Sequence, residues 1–237
     1  MIRMKQKPLA IVSGGGGYVG SAIRATLERS GWDVVSLGIR ASDDDRVYEC
    51  DVTNEQQVED IIKKITRQYG QVCACIHAAA MPIDNRPLLE IDIESFEMSI
   101  KIAVRGAFLL AKFVVPHMKA GSAFIGVTTK LIEPEATLPP TGSHITAKYA
   151  LRGFLRTLAS EMQRKHIRVY AVAPGFLPGG LNRGVSLAMI DFLATKSGIG
   201  SASVEAVADL VRTLCSEKEA YPSGSSISLP PLRSTKL

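Results

Sequence analysis

In the stretch TGSHITAKYALRGF, His144 and Lys148 stand four residues apart. On a helix that spacing puts both side chains on one face, one turn apart. An imidazole beside an ammonium is a proton-handling pair. Imidazole ordinarily titrates at about 6.5, and a neighbouring positive charge opposes a second one. His144 is therefore expected to be mostly neutral at pH 7. A neutral imidazole can donate a hydrogen bond to a carbonyl oxygen or accept the proton of an alcohol. Tyr149 cannot join this pair, because it points about 100° further round the helix.

A second stretch with chemical meaning is SGGGGYVG, Ser13 to Gly20. Between a strand and a helix, such a loop meets the needs of a dinucleotide pyrophosphate. Those needs are a tight turn, close backbone approach and the positive end of a helix. Gly14, Gly16, Gly17, Tyr18, Val19 and Gly20 are the expected phosphate cradle. The second strand then ends at Gly38 with no acid there to bind an adenosine ribose 2′-hydroxyl, and Arg40 follows. An arginine can pair with a 2′-phosphate, so NADP(H) is favoured over NAD(H), although Asp43–Asp45 lie nearby.

These residues need a scaffold, and the periodicity predicts one. PLAIVSG, WDVVSLG, RVYECDV, QVCACIHAAA, SAFIGVTT and IRVYAVAPG read as strands, with a last short one near Ser226–Leu229. Helices are predicted from Tyr18 to Gly31, from an Asn54 cap through Tyr69, and from about Ile91 to Met118. Further helices run from Thr141 or Ser143 to about Lys165 and over Val204–Ser216. Strands alternating with helices imply an α/β, Rossmann-type doubly wound parallel sheet of about seven strands in a single domain, 1–237. The PEATLPPTG loop and the Gly-rich stretch 176–200 read as irregular walls or lids of a site.

Composition narrows the function classes. The chain has 237 residues, 46% hydrophobic and 6% aromatic, which suits one α/β domain with a full core. The net charge of +5 comes from scattered lysines and arginines rather than a stripe, so no nucleic-acid partner is expected. MIRMKQK has no apolar segment, and no window of about 18 apolar residues exists, so neither a signal peptide nor a membrane span is expected. Cys50, Cys73, Cys75 and Cys215 form no Cys-x-x-Cys pair and read as reduced core thiols of a cytoplasmic protein. No His/Cys/Asp/Glu cluster has metal-ligand spacing. The terminal STKL is a poor relative of a peroxisomal address and reads as chance.

Taken together, SGGGGYVG, CDVT (Cys50–Thr53), IHAAA (Ile76–Ala80), KYALRGFLRTLASE (from Lys148) and IRVYAVAPG (Ile167–Gly175) resemble the short-chain dehydrogenase/reductase family along essentially the whole chain. The resemblance implies NAD(P)(H) binding and oxidation of an alcohol or reduction of a carbonyl. It places Asp51 and Val52 at the adenine, Ala78 and Ala79 beside the adenosine ribose, Pro174 and Gly175 below the nicotinamide, and Lys148 on the nicotinamide ribose. Of the family's Asn, Ser, Tyr and Lys, only Lys148 is retained. His144 falls at the tyrosine position, Ala103 at the asparagine, and Thr128 or Thr129 at the serine. Tyr18 stands where short forms of the family carry glycine, and Gly17 is expected to supply the lost flexibility.

Three functions remain open at this level. The first is an atypical reductase or dehydrogenase using His144, Lys148 and a threonine on an unidentified small molecule. The second is a cofactor-loaded pseudo-enzyme acting as a binding or sensor module, and the third a site repurposed for non-redox chemistry. Resemblance also implies a homodimer or homotetramer built from the two longest helices.

Overall fold

The protein is described by a computed structural model over residues 7–40, 42–139, 141–217 and 220–230. The first six residues and the terminal STKL lie outside the described residues. Seven parallel strands form one sheet: β1 (Leu9–Ser13), β2 (Asp33–Gly38), β3 (Val47–Glu49), β4 (Val72–His77), β5 (Met118–Val127), β6 (Arg168–Ala173) and β7 (Ser226–Ser228). Their order is β3-β2-β1-β4-β5-β6-β7. The chain works outward in one direction from β1 to β3, then returns to lay β4 on the other side of β1. In such a sheet the crevice at that reversal, outside the carboxyl ends of β1 and β4, is where ligands bind.

Alternation along β1 shows why the sheet is covered on both faces. Leu9 and Ile11 pack with Val58 and Ile62 of α2 (Glu55–Tyr69), Leu110 of α4 (Gly106–Val114) and Leu151 and Leu155 of α5 (Gly142–Met162). Ala10 and Val12 point the other way, onto Ile23 and Leu27 of α1 (Tyr18–Arg29) and Val207 and Val211 of α7 (Val204–Ser216). Successive strand residues face opposite sides, so a strand buried on both must be apolar throughout. Each fully buried Leu, Ile or Val contributes about 1.5–3 kcal/mol. No helix among the described residues is long and apolar enough to cross a membrane.

Two expectations are corrected. The single helix predicted over 91–118 is α3 (Ile93–Ile100) and α4, joined without a break by a π-helical turn at Lys101–Arg105. Pro116 ends it earlier, in a 3₁₀ turn, since proline has no N–H to continue the ladder. The stretch 176–200 is not wholly irregular, because it contains α6 (Leu187–Lys196), whose cap Ser186 accepts from the Met189 amide at 3.2 Å. Leu187, Met189 and Phe192 of α6 are exposed while Ile190 and Ala194 are buried. With large apolar residues exposed as well as buried, α6 has no apolar stripe confined to one face to give it away in sequence.

Candidate active site

The glycine loop is shaped by atoms it lacks. Gly14 leaves β1 with φ +71, a conformation open chiefly to glycine. A Cβ there would lie 2.7 Å from the Ala79 nitrogen, so the loop rests directly on the turn after β4. A Cβ on Gly20 would fall inside the Gly14 carbonyl oxygen, while Gly16 faces open space. The Gly17 amide donates to the Gly14 oxygen at 2.9 Å. Gly17 itself has φ −81, so Gly14 rather than Gly17 makes the strained turn. The first turn of α1 (Tyr18, Val19, Gly20) carries no side-chain cap, which leaves its amides to an anion. Tyr18 turns outward. Its hydroxyl donates to the Pro178 carbonyl at 2.8 Å and its ring lies against Gly179 and Gly180. It thereby fastens the segment after β6 to the loop, a role its spacing in sequence does not reveal.

On the adenosine side, Arg40 is exposed just past β2 and makes no ion pair among the described residues. Asp44 is engaged elsewhere: the Arg46 amide and the Arg24 guanidinium hold its carboxyl below the usual range. Asp51 is exposed and accepts from both the amide and the hydroxyl of Thr53 at 2.8 Å. Val52 is buried against Gly106. Ala78 donates its amide to the Ser13 carbonyl at 3.0 Å, locking the β4 turn to the start of the glycine loop.

On the other side, α5 turns Lys148 inward. Its ammonium donates to the carbonyl of Val127, the last residue of β5, at 2.7 Å, and burial pushes its pKa down to about 8. His144 is half-buried one turn earlier. Burial first, and the Lys148 charge second, push it down to about 3. Thr128 donates its hydroxyl to the Val172 carbonyl at 3.1 Å, and the Thr129 hydroxyl accepts from the Leu131 amide at 3.3 Å. Ala103 is buried in the π-helical turn. The Pro174 carbonyl accepts from the Lys130 amide, and Gly175 passes so close to Gly200 that a Cβ would strike its carbonyl oxygen. These residues all lie at or beyond the carboxyl ends of β1, β4, β5 and β6.

His77, the last residue of β4, joins the two sides. Ser13 donates its hydroxyl to Nδ1 at 2.7 Å, and Nε2 lies 3.1 Å from the Ile102 carbonyl. A carbonyl can only accept, so Nε2 carries the hydrogen and Nδ1 is the acceptor. The ring is fully buried, and that burial, reinforced by Lys148, lowers its pKa to about 4. The sequence signal available was a histidine ending an otherwise apolar strand just before the cradle turn.

Comparison with known proteins gives the class. A family model described as enoyl-(acyl carrier protein) reductase matches residues 20–229. The chain belongs to the short-chain dehydrogenase/reductase family. A 2,5-dichloro-2,5-cyclohexadiene-1,4-diol dehydrogenase of Sphingobium indicum is 28% identical over 176 residues, 70% of each chain. Among solved structures, a blue fluorescent protein from a metagenomic library in complex with NADPH superposes with a TM-score of 0.81 at 21% identity, covering 94% of this chain and 96% of that one. A 3-ketoacyl-(acyl-carrier-protein) reductase from Brucella melitensis complexed with NADH gives 0.83 at 18% identity, covering 97% and 100%. At these identities the structural likeness supports the fold.

Proposed function

We propose that the chain is an NAD(P)(H)-dependent oxidoreductase that reduces a carbonyl or oxidises an alcohol through His144, Lys148 and Thr128 or Thr129, with NADP(H) as the preferred cofactor. The observation that carries this reading is the inward-turned His144–Lys148 face of α5, set at the end of β5 on the same sheet edge as the glycine cradle. The residues fit a nicotinamide dinucleotide. Uncapped α1 amides and the open side of Gly16 suit its pyrophosphate, and Arg40 suits a 2′-phosphate. Lys148 has donors left beyond Val127 for a ribose. The NADPH and NADH complexes of the two structural neighbours support the same cofactor class.

When bound, the nicotinamide supplies a hydride to the carbonyl carbon, and the carbonyl oxygen takes one proton from solvent through the protein. The order of the two pKa values decides which residue holds that proton. Below about pH 8 it resides on Lys148, whereas His144 stays neutral and offers an N–H to the substrate oxygen. Ala103 provides no polar side chain to extend the path. Reduction of a carbonyl should therefore decline as pH rises through about 8, because Lys148 loses its proton, while alcohol oxidation should rise. NADPH oxidation over a carbonyl panel from pH 6 to 10 tests this, and Lys148→Met should remove that limb. A flat profile in an active enzyme refutes the assignment of Lys148.

A second reading, a cofactor-loaded binding module, is favoured by the threonines. The Thr128 hydroxyl commits its one hydrogen to the Val172 carbonyl, which leaves only Thr129, buried and accepting from the Leu131 amide, with a hydrogen to donate. Tight NADPH binding with no turnover of any carbonyl would select it. We further propose a second copy of the chain as partner, because Phe108 on α4 and Tyr149 on α5 are about half exposed on the helices expected to pair. Four free cysteines support a reducing, cytoplasmic setting.

A further inference from the structure

We propose that the substrate of this site carries a carboxylate, held at the start of α5 by Thr141 and the first-turn amides in the field of Lys148. This rests on the oxidoreductase reading above and narrows its substrate class. Thr141 occupies the N-cap position of α5, with φ −131 and ψ 43, yet its hydroxyl caps nothing. A threonine there ordinarily accepts from the second or third amide of the helix. This hydroxyl is instead buried, at 6% residue exposure, with no partner among the described residues. Buried hydroxyls are rarely left so, because desolvation without a hydrogen bond is costly.

Three further features converge on the same place. The first turn of this 21-residue helix contains no acidic side chain, so its positive end is uncompensated from within. Lys148 follows about two turns after Thr141. It is buried, donates to one backbone carbonyl, and makes no ion pair with a carboxylate among the described residues. Between them His144 is held neutral by burial and by Lys148, so it adds no charge of its own, and its one N–H is left for the reacting oxygen of the substrate. Leu88 packs against Gly142 closely enough that a Cβ there would lie 2.7 Å from its Cδ1, and Leu131, Ile132 and Ile199 surround Ile145. A tight, mostly apolar surround suits a small, singly charged carboxylate better than a dianionic phosphate.

The test compares 3-oxo acids with their methyl esters as substrates of the NADPH-loaded protein, with NADPH binding measured separately by fluorescence. The acid should exceed its ester at least about tenfold in kcat/KM, and Thr141→Val should cut that ratio about tenfold, as expected for one lost hydrogen bond to a charged group. Thr141→Ser, which keeps the hydroxyl, should restore it. Equal kcat/KM for acid and ester, or a ratio unmoved by Thr141→Val in protein that still binds NADPH, overturns the carboxylate assignment and leaves the oxidoreductase reading standing. If neither is reduced, calorimetric titration with the 3-oxo acid decides. Saturable binding lost in Thr141→Val keeps the carboxylate site and removes the redox reading, whereas absence of binding overturns the carboxylate site as well.

Discussion

The glycine cradle and the α5 wall face the same crevice but are built in opposite ways. The cradle is made of backbone, and what defines it is the room its glycines leave. Gly14 and Gly20 approach their neighbours so closely that one added methyl group has nowhere to go. The α5 wall is made of side chains, and what defines it is the cost of burying them: Lys148 and His144 both have pKa values pushed down by desolvation. The two constructions respond differently to substitution. Tyr18 enters the cradle region without disturbing it, because its side chain swings out to Pro178. On the α5 side, His144 lies within a regular helix and Ala103 within the π-helical turn, so what either contributes depends on its side chain and its burial rather than on room left for backbone.

Three experiments bear on that contrast, beginning with the largest expected effect. Gly20→Ala forces a Cβ onto the Gly14 carbonyl, and overpacking of this kind costs about 1–3 kcal/mol, up to about a hundredfold in NADPH affinity. Unchanged affinity by fluorescence titration would mean that the cradle is not set by contact distances. The next effect lies at His77, where the two regions meet. His77 is neutral when folded, with a pKa near 4, but titrates near 6.5 when unfolded, so unfolding takes up a proton between those values. Its stabilising contribution is full above about pH 6.5 and is lost as pH falls towards 4, by up to about 1.4 kcal/mol per pH unit. His144 is shifted the same way, so the informative quantity is the difference between the wild type and His77→Gln. The variant should show a shallower loss of thermal stability across that window, and an identical slope would show that His77 is already charged. Smallest is Tyr18→Phe, which deletes one partly exposed hydrogen bond worth about 1 kcal/mol or less, at most about fivefold in cofactor KM. A penalty larger than that of Gly20→Ala would reverse the contrast.

Much of this arrangement is legible in the chain itself. Val204–Ser216 forms a helix over the predicted residues, and Asn54 caps α2 through the Gln57 amide at 3.1 Å. Both depend on local periodicity and local hydrogen bonds, which sequence records directly. The five longer strands, β1, β2, β4, β5 and β6, and the glycine turn are readable for the same reason. α6 is not, because its burial pattern depends on what lies beneath it. The π-helical turn at Lys101–Arg105 is equally hidden, since no residue there breaks a helix by its own nature.

By itself, then, the sequence determined which residues are available for chemistry: a glycine-rich loop between a strand and a helix, and a lysine one turn after a histidine. Only the tertiary structure decided their state. The pKa order of Lys148 over His144, the joining of Ser13 to the π-helical turn through His77, and the unpartnered hydroxyl of Thr141 all arise from burial and from contacts between residues far apart in the chain. Desolvation and long-range hydrogen bonding belong to the folded environment rather than to any residue type, so no reading of spacing alone reaches them.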